Sequence, residues 1–404
     1  MINKVSVSVV GLGYIGLPTS ALMASKGMSV NGTDINADIV DHINKGKVHI
    51  VEPDLEDTVK RVVQSGQFKA FTQVKEADVY LIVVPTPFKD NNEPDISYVE
   101  KASLTTVSLL KEGDLFIIES TCPIGTTDHI SQLIYAKRPE LEGKIHIAYC
   151  PERVLPGNVL YELSHNDRVI GGLDDAATEK AKEFYRYFVT GELHGTNART
   201  AEMCKLVENS SRDVSIAFAN ELSIICDKAK INVWELITLA NKHPRVNILT
   251  PGCGVGGHCI AVDPYFITAH FPLESQIIGQ ARKINNYKTF WCIEKIKNAI
   301  IEFKLENNKS PIVALMGLAF KPNIDDLRES PADYIAKRLS QEYSDNHFII
   351  VEPNIDKHDM LSLSSVDEAM SSSDIIVYLV GHDEFKGSYD GSKIMLDFCG
   401  VTQK

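Results

Sequence analysis

The chain has 404 residues and an apolar share of 44%, too long for one core and apolar enough for two or three. Its formal net charge of −13 argues against a nucleic-acid surface, and no apolar run approaches membrane-spanning length. Eight cysteines lie scattered without a C-x-x-C pair, so metal-site spacing is absent and a cytoplasmic protein with reduced thiols is expected.

Residues 5–10 form a nearly continuous apolar run that goes straight into a glycine turn, which is not a signal peptide and marks a strand buried on both faces. Gly11-Leu12-Gly13-Tyr14-Ile15-Gly16 follows, then an apolar helical pattern over 17–25, then a short strand at 28–33 that ends in Asp34. Strand, G-x-G-x-x-G, helix, strand and a late acid make a dinucleotide-binding unit. Gly11 makes the turn, Gly13 lets backbone approach a pyrophosphate, and Gly16 lets helix and strand pack. The helix N-terminus supplies donors and a positive field. Asp34 suits the adenosine ribose hydroxyls, and no arginine follows it, which favours NAD over NADP.

Strands predicted at 79–84, 115–119 and 145–149 end in Pro85-Thr86-Pro87, Ser120-Thr121-Cys122-Pro123 and Cys150-Pro151-Glu152-Arg153. Repeated strand–helix units make a doubly wound parallel sheet, whose ligands sit at the carboxyl ends of its strands. Thr86, Thr121 and Glu152 fall on that edge. Each alone reads equally as a turn residue, and the three together point to a site.

From about Asn197 the pattern changes. Residues 200–230 hold no Gly or Pro and predict one long helix with Met203, Leu206, Val207, Ile216, Ala217, Leu222 and Ile225 at helical spacing. Lys205 and Asn209, four apart, share a face, which alone reads as solvated surface. A helix at 233–241 leads through His243-Pro244-Arg245 to a loop with four glycines in the six residues 252–257. Such a loop suits close approach to a ligand. It ends at Cys259 beside the basic His258, with Asp263 reading as N-cap and Pro264 as the first helical position. A thiol so placed becomes a nucleophile, while a tight turn around an inert thiol is the plainer alternative. A further helix runs from 274 past 304, and long central helices suit a dimer interface.

The last ~100 residues restart with a strand at 312–316, then Gly317-Leu318-Ala319-Phe320-Lys321-Pro322, a charged loop, a helix entered at Ser330-Pro331, and strands at 348–351, 375–380 and 395–397. This is a second, smaller α/β domain without its own G-x-G-x-x-G. Lys321 and Arg328 are placed to meet anionic phosphates, and a cleft between two such domains is a natural substrate site. The expected division is 1–196, a Rossmann-like domain; 197–305, a central helical region; and 306–404, a second Rossmann-like domain.

These motifs resemble, in order and over essentially the whole chain, the UDP-glucose/GDP-mannose dehydrogenase family. Gly11 to Pro18 is similar to its cofactor turn, and Ala201-Glu202-Met203-Cys204-Lys205 with Asn209 to its A-E-x-x-K-x-x-x-N helix. Gly256-Gly257-His258-Cys259 with Asp263 resembles its nucleophile loop, and Gly317 to Pro322 with Arg328-Glu329-Ser330 its nucleotide-sugar motif. Within the family the stretches Cys150 to Gly157, Asn241 to Asn247 and Gly257 to Pro264 resemble most the members that oxidise UDP-N-acetyl-D-mannosamine. UDP-glucose members read N-P-E-F-L-A-E-G where this chain has Cys150 to Gly157, and Pro156 stands where their second acid falls.

The resemblance implies a four-electron oxidation of a UDP-N-acetylhexosamine at C6, with two NAD⁺ consumed, in a homodimer that serves surface polysaccharide synthesis such as enterobacterial common antigen or capsule. It implies that Cys259 traps the aldehyde as a thiohemiacetal and then carries a thioester. Lys205 would steady the reacting oxygen, with Asn209 and Asp263 beside it in the active site and Asp263 helping to hold a water that moves protons; Glu152 would serve as base for thioester hydrolysis, and Thr121 would position by hydrogen bond. It gives the cofactor Gly11, Gly13, Tyr14, Ile15, Gly16, Asp34, Pro85, Thr86, Thr121 and Arg328. It gives the substrate Glu152, Arg153, Val154, Lys205, Asn209, Gly256, Phe320 and Lys321, with Arg245 reaching across the dimer. UDP-GlcNAc or UDP-GalNAc are alternative substrates. A two-electron dehydrogenase, or an NAD-binding redox sensor, would leave the Cys259 loop or the Lys205, Asn209, Glu152 set unused.

Overall fold

The computed structural model describes residues 5–89, 92–154, 157–257, 259–343, 348–387, 391 and 393–402. His258, Leu155 and Pro156, which the sequence singles out, lie outside them. The chain forms two compact units, Met1–Val207 and Glu208–Lys404.

The first unit is built on β1 (Ser6–Val10), β2 (Ser29–Thr33), β3 (Phe68–Phe71), β4 (Val79–Ile82), β5 (Leu115–Ile118), β6 (His146–Tyr149), β7 (Arg168–Gly172) and β8 (Leu193–Asn197). They form one sheet in the order β3-β2-β1-β4-β5-β6-β7-β8. All neighbours run parallel except β6 and β7, which are antiparallel. The period-two alternation sends Val7, Val9, Leu81 and Ile117 to one face and Val10, Tyr80, Ile82, Phe116 and Ile118 to the other. Both faces are covered, so these strands read as continuous apolar runs. The strands β3, β7 and β8 were not expected. Phe68–Phe71 is broken by the exposed Lys69, β7 ends in two glycines, and β8 is an edge strand of Leu, His, Gly, Thr and Asn, largely exposed. None has the apolar run that marks an inner strand.

The second unit carries helices Val233–Ala240, Asp263–His270 and Gln276–Asn307, and the long helix Ala198–Ala229 runs into it. Its sheet has β9 (Val313–Met316), β10 (Phe348–Val351), β11 (Ile375–Tyr378) and β12 (Ile394–Asp397), all parallel in the order β10-β9-β11-β12. Val313, Leu315, Ile375 and Val377 pack on one side with Cys292, Ile293, Ile296 and Ile300 of helix Gln276–Asn307, while Ala314, Met316, Ile376 and Tyr378 fill the other. Among the described residues no helix is long and apolar enough to cross a membrane, and no cluster of three metal-ligating side chains occurs.

Candidate active site

The turn after β1 is held by its own backbone. Gly11 has φ +100°, and its N–H donates to the carbonyl of Thr33 at 2.8 Å. A Cβ at Gly11 would overlap the Val83 carbonyl, and one at Gly16 the Gly11 carbonyl. A Cβ at Gly13 would meet nothing within 4 Å, so that position faces open space. Helix Gly16–Ser25 follows Ile15 without a side-chain cap and without an acid in its first turn, so no side chain competes with an anion there. Asp34, half-buried just past β2, accepts from the Leu12 N–H at 3.1 Å and the Asn36 N–H at 2.9 Å. Thr86 Oγ1, at the end of β4, is buried without a partner among the described residues, and Pro85 beside it is exposed. An open glycine, an uncapped helix, a half-exposed acid and an orphaned hydroxyl fit an NAD molecule laid over this edge.

Two residues of this region were not read from the sequence. Glu52 is buried; it accepts from the Tyr14 hydroxyl, from the Gly157 N–H at 2.8 Å and from the Val159 N–H at 3.4 Å. It therefore ties the cofactor turn to the start of helix Val159–His165. His49 lies within electrostatic reach of Asp34, and burial pushes its imidazole below the ordinary value against the pull of that carboxylate. A neutral ring there offers a phosphate no charge.

Farther along the same edge, Thr121 is half-buried beside Ser120, whose Oγ accepts from the Val84 N–H at 2.9 Å. Glu202 of the long helix accepts from the Gly125 N–H at 2.6 Å and the Thr127 N–H at 2.8 Å, fixing the loop that follows Thr121. Glu152 is buried past β6. Burial pushes its carboxyl up, and the Arg168 guanidinium, the Val154 N–H and the Lys205 ammonium pull it back. Arg153 donates from Nη2 to the carbonyl of Asp167 at 2.7 Å, and Val154 packs against the core. Lys205, Glu152 and Thr121 thus belong to one unit, with Lys205 half-buried.

In the second unit Asn209 Nδ2 donates to Asp263 Oδ2 at 2.5 Å. Asp263 is the first residue of its helix and Pro264 the second, with Val262 at the cap position and no side-chain cap. The expected capping role is therefore wrong: the carboxylate is engaged by Asn209 instead. Cys259 opens the turn before that helix, and its carbonyl accepts from the Val262 N–H at 3.0 Å and the Asp263 N–H at 2.8 Å. The glycine loop is anchored at its other end. The Gly252 N–H donates to Asn220 Oδ1 at 2.9 Å, Asn220 donates to Asn285 at 2.9 Å, and Asn285 and Arg282 both donate to Asp213 Oδ1 at 2.7 Å. All four side chains are buried between the two long helices. A Cβ at Gly256 would lie 2.7 Å from Phe320 Cβ, and the Gly257 N–H donates to the Arg328 carbonyl at 3.0 Å. The cysteine loop thus lies directly on the Gly317 to Pro322 loop. Lys321 and Arg245 are exposed, while the Arg328 guanidinium pairs with Asp326 at 2.7 Å. Burial drives the Cys122, Cys253 and Cys399 thiols up, and Cys150 to about 12, which makes them inert, whereas Cys259 is only half-buried.

A doubly wound sheet with an open dinucleotide turn, followed by long helices that carry a cysteine loop onto a second parallel sheet, defines a nicotinamide-dependent oxidoreductase of the nucleotide-sugar type. The chain belongs to the UDP-glucose/GDP-mannose dehydrogenase family: its NAD binding domain matches residues 5–189, its central domain 199–287 and its UDP binding domain 314–404. The chain is 51% identical over 397 residues to the UDP-N-acetyl-D-mannosamine dehydrogenase of Escherichia coli (strain K12), covering 94% of both chains. It is 49% identical to an NDP-N-acetyl-D-galactosaminuronic acid dehydrogenase of Ralstonia nicotianae (strain ATCC BAA-1114 / GMI1000), covering 94% of this chain and 92% of that one. A UDP-D-ManNAc dehydrogenase from Pyrococcus horikoshii superposes with a TM-score of 0.87 at 37% identity, over 99% of this chain and 96% of that one. The chain is therefore an oxidoreductase that uses NAD.

Proposed function

We propose that this enzyme oxidises UDP-N-acetyl-D-mannosamine at C6 to UDP-N-acetyl-D-mannosaminuronate, in the cytoplasm and for surface polysaccharide synthesis. The observation that carries the substrate is the 51% identity to the Escherichia coli enzyme along 94% of both chains. The Asn209–Asp263 pair beside the Cys259 turn supports the chemistry. NAD, when bound, supplies a hydride acceptor for each of the two oxidations. The Cys259 thiolate adds to the C6 aldehyde to give a thiohemiacetal, which keeps the half-oxidised sugar from escaping, and loss of the second hydride turns it into a thioester. Lys205 and Asn209 stabilise the oxyanion, Asp263 orients Asn209 and a proton-carrying water, and Thr121 positions by hydrogen bond. Glu152 takes the proton from the water that hydrolyses the thioester. Phe320, Lys321, Gly256, Arg153 and Val154 hold the nucleotide sugar, and Arg328 closes on the cofactor. The working division is 1–196 for NAD, 197–305 for the nucleophile and dimerisation, and 306–404 for the UDP moiety. Phe218 and Ile225 of the long helix and Leu239 are large apolar side chains more than half exposed, which supports a homodimer with Arg245 reaching the partner's substrate.

A second reading keeps the reaction and changes the sugar to UDP-GalNAc or UDP-GlcNAc; the 49% identity to the Ralstonia enzyme favours it. A panel of UDP-sugars assayed for NADH decides between them. UDP-N-acetyl-D-mannosamine is expected to be oxidised far better than the gluco and galacto isomers and far better than UDP-glucose. Comparable efficiency on UDP-glucose would refute the assignment.

A further inference from the structure

Behind Glu152 the first unit hides a charged chain that the reaction scheme does not use. Arg168 opens β7 with 2% of its surface exposed, and Glu119, just past β5, is exposed to the same 2%. Arg168 Nη1 lies 3.7 Å from Glu152 Oε1, and Nη2 donates to the Leu163 carbonyl at 3.2 Å. The guanidinium lies 5.5 Å from the centre of the Tyr185 ring, and the Tyr185 hydroxyl donates to Glu119 Oε1 at 2.5 Å. Nε and Nη1 of Arg168 and Oε2 of Glu119 are buried without hydrogen-bond partners among the described residues. A guanidinium so enclosed is stabilised chiefly by the two carboxylates, and each carboxylate by it, since burial of an unpaired charge costs several kcal/mol.

We propose that Arg168 is the positioning residue for Glu152: its guanidinium holds that carboxylate in the orientation and charge state that a base needs, with Glu119 as its second counter-ion. The inference rests on the reading of Glu152 as the hydrolytic base. Burial and four groups set the charge on Glu152. Arg168 on β7, Lys205 on the long helix and the Val154 N–H favour the ionised form, and Glu162 on helix Val159–His165 opposes it along with burial. Glu119, Cys150 and Tyr185 join Glu152 in favouring the charge of Arg168, and Glu119 and Glu152 repel one another. Glu119 itself is pushed up to about 6 by burial, with Glu152 adding to the rise and Arg168 and the Tyr185 hydroxyl pulling against it, so it shares the guanidinium fully only above that pH. Arg168 is the only one of these cations that is wholly enclosed with Glu152. Its removal leaves a buried carboxyl that prefers to stay protonated, and a protonated Glu152 accepts no proton from water.

The test compares R168Q, R168K and E152Q in the full-length protein, reading the pH profile of kcat and the mass of the intact protein during turnover. R168Q is expected to move the acid limb of kcat up by at least one pH unit, to accumulate a covalent adduct on Cys259 at neutral pH, and to lose that adduct as activity returns at alkaline pH. R168K, which restores a charge without the planar fork, is expected to move the limb back part of the way. Should R168Q fail to fold, the double variant E119Q/R168Q removes the second buried carboxylate with the cation, and the same upward shift is expected. An unmoved acid limb in whichever variant folds, with no adduct, overturns the inference. E152Q separates the two readings. No adduct in E152Q refutes Glu152 as the base, while an adduct in E152Q without one in R168Q refutes Arg168 alone.

Discussion

The chain builds the same turn twice and uses it in two ways. Gly11 after β1 has φ +100° and donates its N–H to Thr33 at 2.8 Å; Gly317 after β9 has φ +94° and donates to Val351 at 2.8 Å. In each turn the next residue donates its N–H to an acid one residue past the neighbouring strand, Leu12 to Asp34 at 3.1 Å and Leu318 to Glu352 at 2.7 Å. The acids then part ways. Asp34 is half-buried and accepts one further bond, from Asn36. Glu352 is 3% exposed, and it accepts from the Ala319 N–H at 2.9 Å, His382 at 3.0 Å and Asn354 at 3.1 Å. The helices part ways too. Helix Gly16–Ser25 starts at once and uncapped, whereas helix Pro331–Glu342 starts after a loop and is capped by Ser330, with Asp333 in its first turn. A frame that leaves its acid half-exposed and its helix start free of side-chain caps can receive a ligand, and one that consumes both internally becomes a rigid base for the loop beside it.

The largest effect should come from the consumed acid. Glu352→Ala strands two buried N–H groups and His382, and should cost about 3–5 kcal/mol. Both tryptophans, Trp234 and Trp291, lie in the second unit, so urea unfolding followed by tryptophan fluorescence reads that unit. A loss below about 1 kcal/mol would mean that Glu352 is no more integral to its turn than an exposed acid, because surface substitutions stay within about 0.5 kcal/mol. The same acid sets a pH dependence. Burial would raise Glu352, but its hydrogen bonds from His382, Leu318, Ala319 and Asn354 outweigh burial and hold it at about 2, against an ordinary 4.5. A depressed carboxylate contributes stability that is present above its unfolded value and lost as pH falls through the folded one. The fluorescence midpoint should therefore fall between pH 4.5 and pH 2 in the native protein, and Glu352→Gln should lack that part of the slope.

Asp34→Ala should show the reverse pattern. Losing a charged acceptor for the ribose hydroxyls should lower kcat/KM for NAD⁺ by about 10- to 100-fold, the equivalent of about 1.5–3 kcal/mol. The preference over NADP⁺ should relax, and the tryptophan-reported transition should not move. Equal efficiency with NAD⁺ and NADP⁺ in the unmodified protein would sink this assignment. The smallest effect sharpens the contrast between the helices: Ser330→Ala should cost about 1 kcal/mol of second-unit stability, the usual loss for an N-cap. A cap worth nothing would leave the difference between the helix starts without energetic content.

Much of this frame is legible in the amino-acid order. The apolar runs of β1, β4, β5, β6, β9 and β11, the glycine turn and the long helix all follow from period and composition. What escapes is what period cannot encode. The reversal of β7 against β6 is a matter of connection, and β8 is too polar to announce itself. Charged residues default to the surface, so nothing in the order of residues marks Glu52, Glu119, Arg168, Asp213, Arg282 or Glu352 as buried. Asp263-Pro264 looked like a helix cap because local rules favour it there; a side chain 54 positions away, Asn209, claims the carboxylate instead.

Whether the oxidation runs through to the acid is tested most directly by counting NADH against sugar. Purified enzyme is given limiting UDP-N-acetyl-D-mannosamine with excess NAD⁺, and NADH and nucleotide sugar are measured at completion. Two NADH per sugar consumed, with the uronate as sole product, is the result predicted. One NADH per sugar, with an aldehyde or ketone released, would contradict it.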